Sequence, residues 1–126
     1  MSTIEHHSMQ HYKLVLPEHM NHQQSLFGGN LLMWIDEVAY MTANLQFPNH
    51  RFVTVALDNV EFKNRIDCGE IICFQVTLQK QGRSSLRYFV SVVGTRKNAE
   101  IILFETRITF VSVDEQGKKQ PIYMSV

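Results

Sequence analysis

The sequence predicts an α+β domain in which a curved antiparallel β-sheet wraps around one long central helix. Three observations support this prediction. One apolar segment is long and rich in helix-forming residues. The segments after it alternate between apolar and polar residues with period two, as half-buried strands do. Turn residues separate these strands at spacings that allow only hairpins, so the sheet is mostly antiparallel.

The N-terminal part contains one short predicted strand. Residues 1–10 are predicted to be a loosely ordered polar segment. The strand covers His11–Leu16 and stops at Pro17. With 126 residues, the chain suits a single domain spanning 1–126.

The central helix is predicted over Asn30–Leu45, with Ser25 or Asn30 as its N-cap and Pro48 after its end. It is apolar nearly all round, which predicts burial at the centre of the fold. Asp36 and Glu37 are its only charged residues.

Four strands follow, over Phe52–Phe62, Glu70–Lys80, Ser85–Gly94 and Glu100–Val113. The alternation places one set of apolar residues of each strand on one face. These sets are Val53, Val55 and Leu57; Ile72, Phe74, Val76 and Leu78; Leu86, Tyr88, Val90 and Val92; and Ile102, Phe104, Ile108 and Phe110. The turns are predicted at residues 67–69, 81–83 and 97–98.

Composition narrows the possible functions. Twelve basic residues balance twelve acidic ones, so no net field steers the chain onto nucleic acid or an anionic membrane. Any anion site must be a local cluster. The first residues lack a signal-peptide pattern, and no apolar run reaches the roughly 18 residues that span a bilayer. Cys68 and Cys73 do not form a disulfide or metal pattern, and we expect free, buried thiols in a reducing, cytoplasmic setting.

Two features of the helix indicate chemistry. A lone carboxylate in an apolar helix is costly to bury unless it is paired, so Asp36 suggests a general base or a nucleophile. The alternative is that Asp36 and Glu37 mark the one wet edge of the helix. Gly28 and Gly29 precede the helix and let a substrate carbonyl approach backbone N–H groups there, although they also suit an ordinary tight turn.

Several segments together resemble the acyl-CoA thioesterase family of the hotdog fold. They are 21–29 (Asn-His-Gln-Gln-Ser-Leu-Phe-Gly-Gly), 33–39 (Met-Trp-Ile-Asp-Glu-Val-Ala), 53–56, 60–64, 68–70 and 82–85. The resemblance covers about residues 14–113. It implies hydrolysis of an acyl-CoA thioester, a role in fatty acid metabolism and no cofactor, since coenzyme A is part of the substrate and product.

The resemblance also implies roles for individual residues. Asp36 matches the catalytic acid, while the Asn21 amide and the N–H of Gly28 or Gly29 polarise the thioester carbonyl. The segment containing Arg83, Ser84 and Ser85 helps to hold the phosphates of coenzyme A, a role that also suits Arg and Ser chemically, although the segment also suits a plain polar hairpin. Lys63 and Arg65, which follow the second strand, are further candidates for binding these phosphates. Thr54 either lines the site or is a core residue, His22 is interpreted as an exposed neighbour of Asn21, and Glu37 as a structural or dimer-contact residue.

Two positions depart from the family pattern, in which a Gly often stands three residues after the Asn and an acidic residue two before it. Here these positions hold Gln24 and His19. The departure concerns the shape of this loop, and with it acyl-chain specificity, more than the chemistry.

Other functions and the assembly stay open at this point. A hotdog dehydratase or hydratase would pair a His with an acid, but the helix holds no His. A non-catalytic acyl-CoA-binding module would bind the ligand without releasing a thiol. A single helix and an open sheet leave edges exposed, which predicts at least a homodimer. The resemblance adds a site shared between two chains and dimers that often join into trimers of dimers.

Overall fold

The computed structural model describes residues 8–123, which contain one α-helix and five β-strands. In chain order they are β1 (Ser8–Leu14), α1 (Gly28–Gln46), β2 (Arg51–Phe62), β3 (Ile71–Gln81), β4 (Ser85–Arg96) and β5 (Ala99–Val113). A single 3-10 turn, Pro17–His19, lies between β1 and α1. The predicted order of one strand, a long helix and four strands is confirmed.

The five strands form one antiparallel sheet in the order β1-β3-β4-β5-β2. The β4–β5 hairpin turns at Lys97 and Asn98, whose φ angles of 51° and 62° suit a tight two-residue turn. Strands β1 and β2 are the two edges of the sheet. The order of the strands in the sheet therefore leaves β2, the strand after the helix, with one unpaired side.

The first strand begins earlier than predicted. Residues 8–10 were expected to belong to the loose N-terminal segment, but Ser8 pairs with Thr77 at the start of the β1–β3 ladder. The backbone N–H and C=O groups of residues 8–10 hydrogen-bond to β3, which explains why these residues form a regular strand. The strand ends at Leu14, before Pro17, because Val15 turns fully into the core and donates its N–H to Glu70. The rest of the predicted segment, residues 1–7, lies outside the described residues.

One face of α1 packs on the sheet. The buried residues of the helix are Leu31, Trp34, Ile35, Val38, Ala39, Thr42 and Ala43. On the opposite side Met33, Tyr40, Met41 and Leu45 are 45–66% exposed. The prediction of a helix buried all round is wrong for the single chain, because one sheet covers only one side of a helix. The exposed apolar side needs another partner.

Irregularities in two strands change which side chains face the helix. In β2 the register shifts between Thr54 and Ala56, so Val53 and Val55 lie outside at 41% and 55% exposure. In β5 the pairing shifts opposite Val92 and Val93, which leaves Ile102 41% exposed. The predicted faces of these two strands are therefore partly wrong, since each extra residue reverses the alternation. The predicted inward sets of β3 and β4 are confirmed, with Leu78 half-buried and the other residues fully buried.

The two cysteines are free thiols, but they differ in exposure. Cys73 is buried on β3, whereas Cys68 is exposed in the turn before it. The expectation of two buried thiols is wrong for Cys68, because the turn at residues 67–69 lies at the sheet surface. Within the described part of the chain, no helix combines the length and apolar character required to cross a bilayer.

Candidate active site

Asp36 and Thr54 meet where the helix crosses the start of β2. The Thr54 hydroxyl donates a 2.7 Å hydrogen bond to Oδ1 of Asp36. Asp36 lies two turns into α1, between the buried Ile35 and the exposed Glu37. Thr54 lies two positions after the buried Phe52 and so on the same, helix-facing side of β2. The contact orients the carboxylate, and Oδ2 makes no hydrogen bond within residues 8–123, so it can accept a proton.

The start of the helix is open. Its N-cap is Phe27, which provides no side-chain cap, so the prediction that Ser25 or Asn30 caps α1 is wrong. Both side chains are used elsewhere: Asn30 donates to the His19 carbonyl at 3.0 Å and Ser25 contacts Asn21. The N–H groups of Gly28 and Gly29 have no acceptor among the described residues. They therefore present unpaired donors at the positive end of the helix dipole.

Both glycines lie against aromatic rings. A Cβ on Gly29 would come within 2.6 Å of the Phe27 ring, and one on Gly28 within 3.2 Å of the Phe62 ring. Phe62 in turn packs edge-on against the buried Phe104, at 4.6 Å between ring centroids. The two rings can therefore pack this close to the backbone only because both positions lack a side chain. Phe62 is a site neighbour that the sequence did not single out.

Asn21 begins a tight loop, residues 21–25, that precedes the helix and is called the Asn21 loop. Its side-chain oxygen accepts hydrogen bonds from the N–H of Gln23 at 2.8 Å and of Ser25 at 3.2 Å. Its own N–H donates to the Ser25 carbonyl at 2.7 Å. Since the oxygen is held by the loop, the amide Nδ2 is the group left to donate outwards. Gln24 has a φ of 61°, the left-handed conformation that glycine adopts without strain.

The hairpin that contains Arg83, Ser84 and Ser85 lies at the Thr54 end of the sheet. Ser85 pairs with Val111 of β5, and Val111 pairs with Val53. The exposed Arg83 side chain makes no ion pair within residues 8–123. The C-terminal segment supports this hairpin, because Ile122 donates its N–H to the Arg83 carbonyl. This support was not predicted from the sequence.

Lys63 and Arg65 lie at the other end of β2. Lys63 forms ion pairs with Glu61 at 3.2 Å and with Glu105 at 3.7 Å. The hydrogen bond that Lys63 donates to Glu61 is the main cause of the raised pKa of Lys63. Arg65 contacts Asp67 and the Asn21 loop. The structure does not bring either cation to Arg83, and their predicted role in anion binding remains a prediction.

Within one chain the predicted residues thus form two separate groups. The first contains Asp36, Thr54 and the 82–85 hairpin, and the second contains Asn21, Gly28, Gly29 and Lys63. Asp36 lies eight residues after Gly28, which corresponds to about 12 Å along a helix axis. Asn21 lies beyond the helix start, in a loop closed by the Met20–Leu26 bridge. A single chain therefore holds the two halves of the predicted site apart.

The remaining candidates have simpler settings. His22 is exposed beside Asn21, as interpreted from the sequence, and Glu37 is exposed on the helix. His19, at the position that departs from the family pattern, accepts the Leu16 N–H at 2.9 Å and packs edge-on against Trp34 at 4.7 Å. It therefore supports the approach to the helix.

Together these features define a hotdog domain with a carboxylate on its central helix and open N–H groups at the helix start. The model of the thioesterase superfamily matches residues 23–96, more than half of the chain, and the chain belongs to this family.

Comparison with known proteins gives consistent relatives. An uncharacterized acyl-CoA thioester hydrolase of Bacillus subtilis is 31% identical over 114 residues. The match covers 86% of this chain and 63% of that protein, so the chain spans less than two thirds of this relative. A hexameric hotdog thioesterase of Campylobacter jejuni is 30% identical with a TM-score of 0.80, over 90% of this chain and 88% of that one.

An acyl-CoA hydrolase of Staphylococcus aureus, solved with butyryl coenzyme A, coenzyme A and coenzyme A disulfide, is also similar. It is 27% identical with a TM-score of 0.86, over 96% of this chain and 74% of that one. Further structures of this hydrolase have an aspartate, a threonine or an asparagine replaced by alanine.

Proposed function

We propose that this protein hydrolyses acyl-CoA thioesters to a free acid and coenzyme A. The observation that carries the proposal is the Asp36 carboxylate, oriented by Thr54 on the central helix of a thioesterase-superfamily domain. The names of the relatives support the substrate class. In the Staphylococcus aureus hydrolase, the replaced asparagine and aspartate are the same number of positions apart as Asn21 and Asp36. The aspartate and threonine differ from the spacing of Asp36 and Thr54 by one position.

The reaction follows from the two groups of residues. The carbonyl oxygen of the thioester accepts hydrogen bonds from the Asn21 amide and the N–H of Gly28 or Gly29, which stabilise its negative charge as it develops. Asp36 acts as general base, taking a proton from water as the water oxygen attacks the carbonyl carbon. The C–S bond then breaks, and the proton passes to the departing coenzyme A sulfur. In the nucleophile variant, the Asp36 carboxylate attacks the carbonyl carbon and the C–S bond breaks to release the coenzyme A thiolate. Water then hydrolyses the resulting acyl anhydride to the free acid and the Asp36 carboxylate, and the proton released neutralises the thiolate.

The active site is proposed to be shared between two chains. Edge strand β2 exposes Val53, Val55, Val60 and Phe62 by 41–56%, and the helix exposes its own apolar side. Two copies of β2 can pair antiparallel about a two-fold axis, which satisfies the free edge. If the axis passes near the middle of β2, the Thr54 end of one strand faces the Phe62 end of the other. This brings Asp36 of one chain towards Asn21 and Gly28 of its partner, and a trimer of such dimers fits the hexameric relatives.

Histidine-based chemistry receives less support. Within residues 8–123, Asp36 accepts its side-chain hydrogen bond from Thr54 and none from a histidine. His11 contacts Thr42, and His50 contacts Phe47 and Pro48. A His–acid pair for hydration or dehydration is thus not formed within one described chain. The proposed hydrolase functions in the cytoplasm, since two free thiols suit a reducing compartment.

The proposal is tested by measuring free thiol released from acyl-CoAs of increasing chain length. We expect turnover with at least one chain length and no hydration of the matching enoyl-CoA. Hydration of the enoyl-CoA without thiol release would identify the protein as a hydratase instead. Binding of a non-hydrolysable acyl-CoA analogue without thiol release from any acyl-CoA would identify a binding module.

Arg83 is expected to anchor the phosphates of coenzyme A. Arg83→Ala should raise KM by roughly tenfold and leave kcat within about twofold, because it removes binding common to the ground and transition states. The effect should shrink at high salt, where screening already weakens a phosphate contact. Lys97→Gln removes one positive charge from the turn at the opposite end of β4 and serves as the control. An unchanged KM at low ionic strength would leave the 82–85 hairpin as a structural element.

A further inference from the structure

Arg65 connects the end of β2 to the loop that carries Asn21. Its Nη2 donates hydrogen bonds to the Gln23 carbonyl at 3.1 Å and to the Gln24 carbonyl at 2.7 Å. Its Nε donates to Asp67 at 2.8 Å, which fixes the direction of the guanidinium plane. One side chain therefore binds two consecutive carbonyls of a five-residue loop. The planar fork of donors makes arginine suited to such a contact.

The loop needs an external support because of its backbone conformation. Gln24 has a φ of 61°, a region that side chains with a Cβ avoid and that glycine enters freely. The position of Gln24 is also where the chain departs from the family pattern, which often has glycine. The Arg65 hydrogen bonds reach this same residue and its neighbour. The guanidinium thus stabilises a conformation that glycine would adopt without help.

Arg65 is itself fixed to the body of the sheet. Arg96, at the end of β4, donates a hydrogen bond to the Arg65 carbonyl and forms a 2.7 Å ion pair with Glu70. The same Glu70 oxygen accepts the Asp67 N–H at 2.8 Å. Glu70 is mostly buried, with a side chain 18% exposed. A continuous series of contacts therefore runs from the sheet through Arg65 to the loop.

We propose that Arg65 is a positioning residue that holds the Asn21 loop in the conformation required for catalysis. It acts through Gln23 and Gln24, whose geometry determines where the Asn21 side chain lies. The Asn21 oxygen is bound by the Gln23 and Ser25 N–H groups, so a shift of residues 23–25 redirects its Nδ2. This inference rests on the proposed hydrolase function, and it gives Arg65 a different role from the anion binding predicted from sequence.

A double-mutant cycle tests the role in catalysis. Arg65→Ala should lower kcat roughly tenfold with KM changed less than about threefold, because small misplacement of a polarising group affects the reacting bond. In an Asn21→Ala background the same change should lower kcat less than about twofold, since the group it positions is gone. Equal losses in both backgrounds, or an effect on KM alone, would overturn the proposal.

Two further variants separate positioning from general damage. Gln24→Gly added to Arg65→Ala should recover several-fold of the lost kcat, because glycine favours the left-handed conformation by itself. Arg65→Gln keeps a long polar side chain and covers the case in which Arg65→Ala does not fold. It should lower kcat in the same direction, and wild-type kcat in folded Arg65→Gln would contradict the proposal.

Hydrogen exchange provides a measurement that does not depend on activity. The amides of Gln24 and Ser25 donate to the Asn21 carbonyl and side-chain oxygen, and they should exchange about tenfold faster in Arg65→Ala. Strand amides of β3 and β4 are the internal control and should be unchanged. If the wild-type protein releases no thiol, the proposed function fails while this measurement still decides the loop contact. Unchanged exchange at residues 21–25 would overturn the role of Arg65.

Discussion

Asp36→Ala should lower kcat by a factor on the order of a thousand, equivalent to about 4 kcal/mol of transition-state stabilisation. The variant removes the carboxylate that Thr54 orients and that carries the proton or the acyl group in the proposed reaction. KM should change little, because coenzyme A is bound elsewhere. The measurement is thiol release with an acyl-CoA that the wild-type protein hydrolyses, together with a thermal unfolding curve.

The neighbouring carboxylate provides a matched control. Glu37 is exposed on the same helix and makes no ion pair within the described residues. Glu37→Ala removes the same charge from the next position and should retain most of the wild-type kcat. Asp36→Asn keeps the size of the side chain and its bond to Thr54, so it should resemble Asp36→Ala in activity and wild type in stability. A folded Asp36→Ala protein with normal turnover would remove Asp36 from the mechanism.

Mixing two inactive variants should restore activity if the site is shared. Each variant lacks one of the two side chains that a shared site needs: Asn21→Ala lacks the amide and Asp36→Ala lacks the carboxylate. A mixed dimer would contain one intact site and one doubly damaged site. With equal amounts and random exchange, mixed dimers are about half of the population, so activity should return to roughly a quarter of wild type. The thiol-release assay is performed before and after subunit exchange, with exchange followed by native mass spectrometry.

A second mixture controls for effects of exchange itself. Asp36→Ala combined with the double variant Asn21→Ala/Asp36→Ala contains no chain with Asp36, so no arrangement of subunits rebuilds a site. This mixture should stay inactive. If the first mixture also stays inactive although mixed dimers have formed, Asn21 and Asp36 act within one chain.

Several features of the site could be found from the sequence. Asp36 was prominent because it is one of two charges in an apolar helix, and Gly28 and Gly29 because they stand directly before the predicted helix start at Asn30, although the helix begins at Gly28. The contact between Asp36 and Thr54 was not predictable. Alternation counted back from Leu57 placed Val53 and Val55 towards the helix and Thr54 away from it. The irregularity after Thr54 separates the two phases of β2, and the sequence carries no clear signal for it. A similar irregularity in β5 made the predicted face of Ile102 wrong.

Other features were hidden because they depend on contacts between distant residues. Arg65 looked like a cation available for phosphate, yet it binds carbonyls of a loop more than 40 positions earlier. Lys63, directly after β2, likewise pairs with Glu105 on the neighbouring strand β5. Neither contact produces a local pattern, since each requires a particular register between strands and loops.

By itself, the sequence determined the kinds of elements, their order and the residues able to perform chemistry, because period and side-chain type are local properties. Only the tertiary structure decided how those residues are distributed. The direction of α1 along β2 places Asp36 with Thr54 at one end and Gly28 with Phe62 at the other. A rigid helix keeps these ends about 12 Å apart, so one chain presents two half-sites and an apolar edge between them.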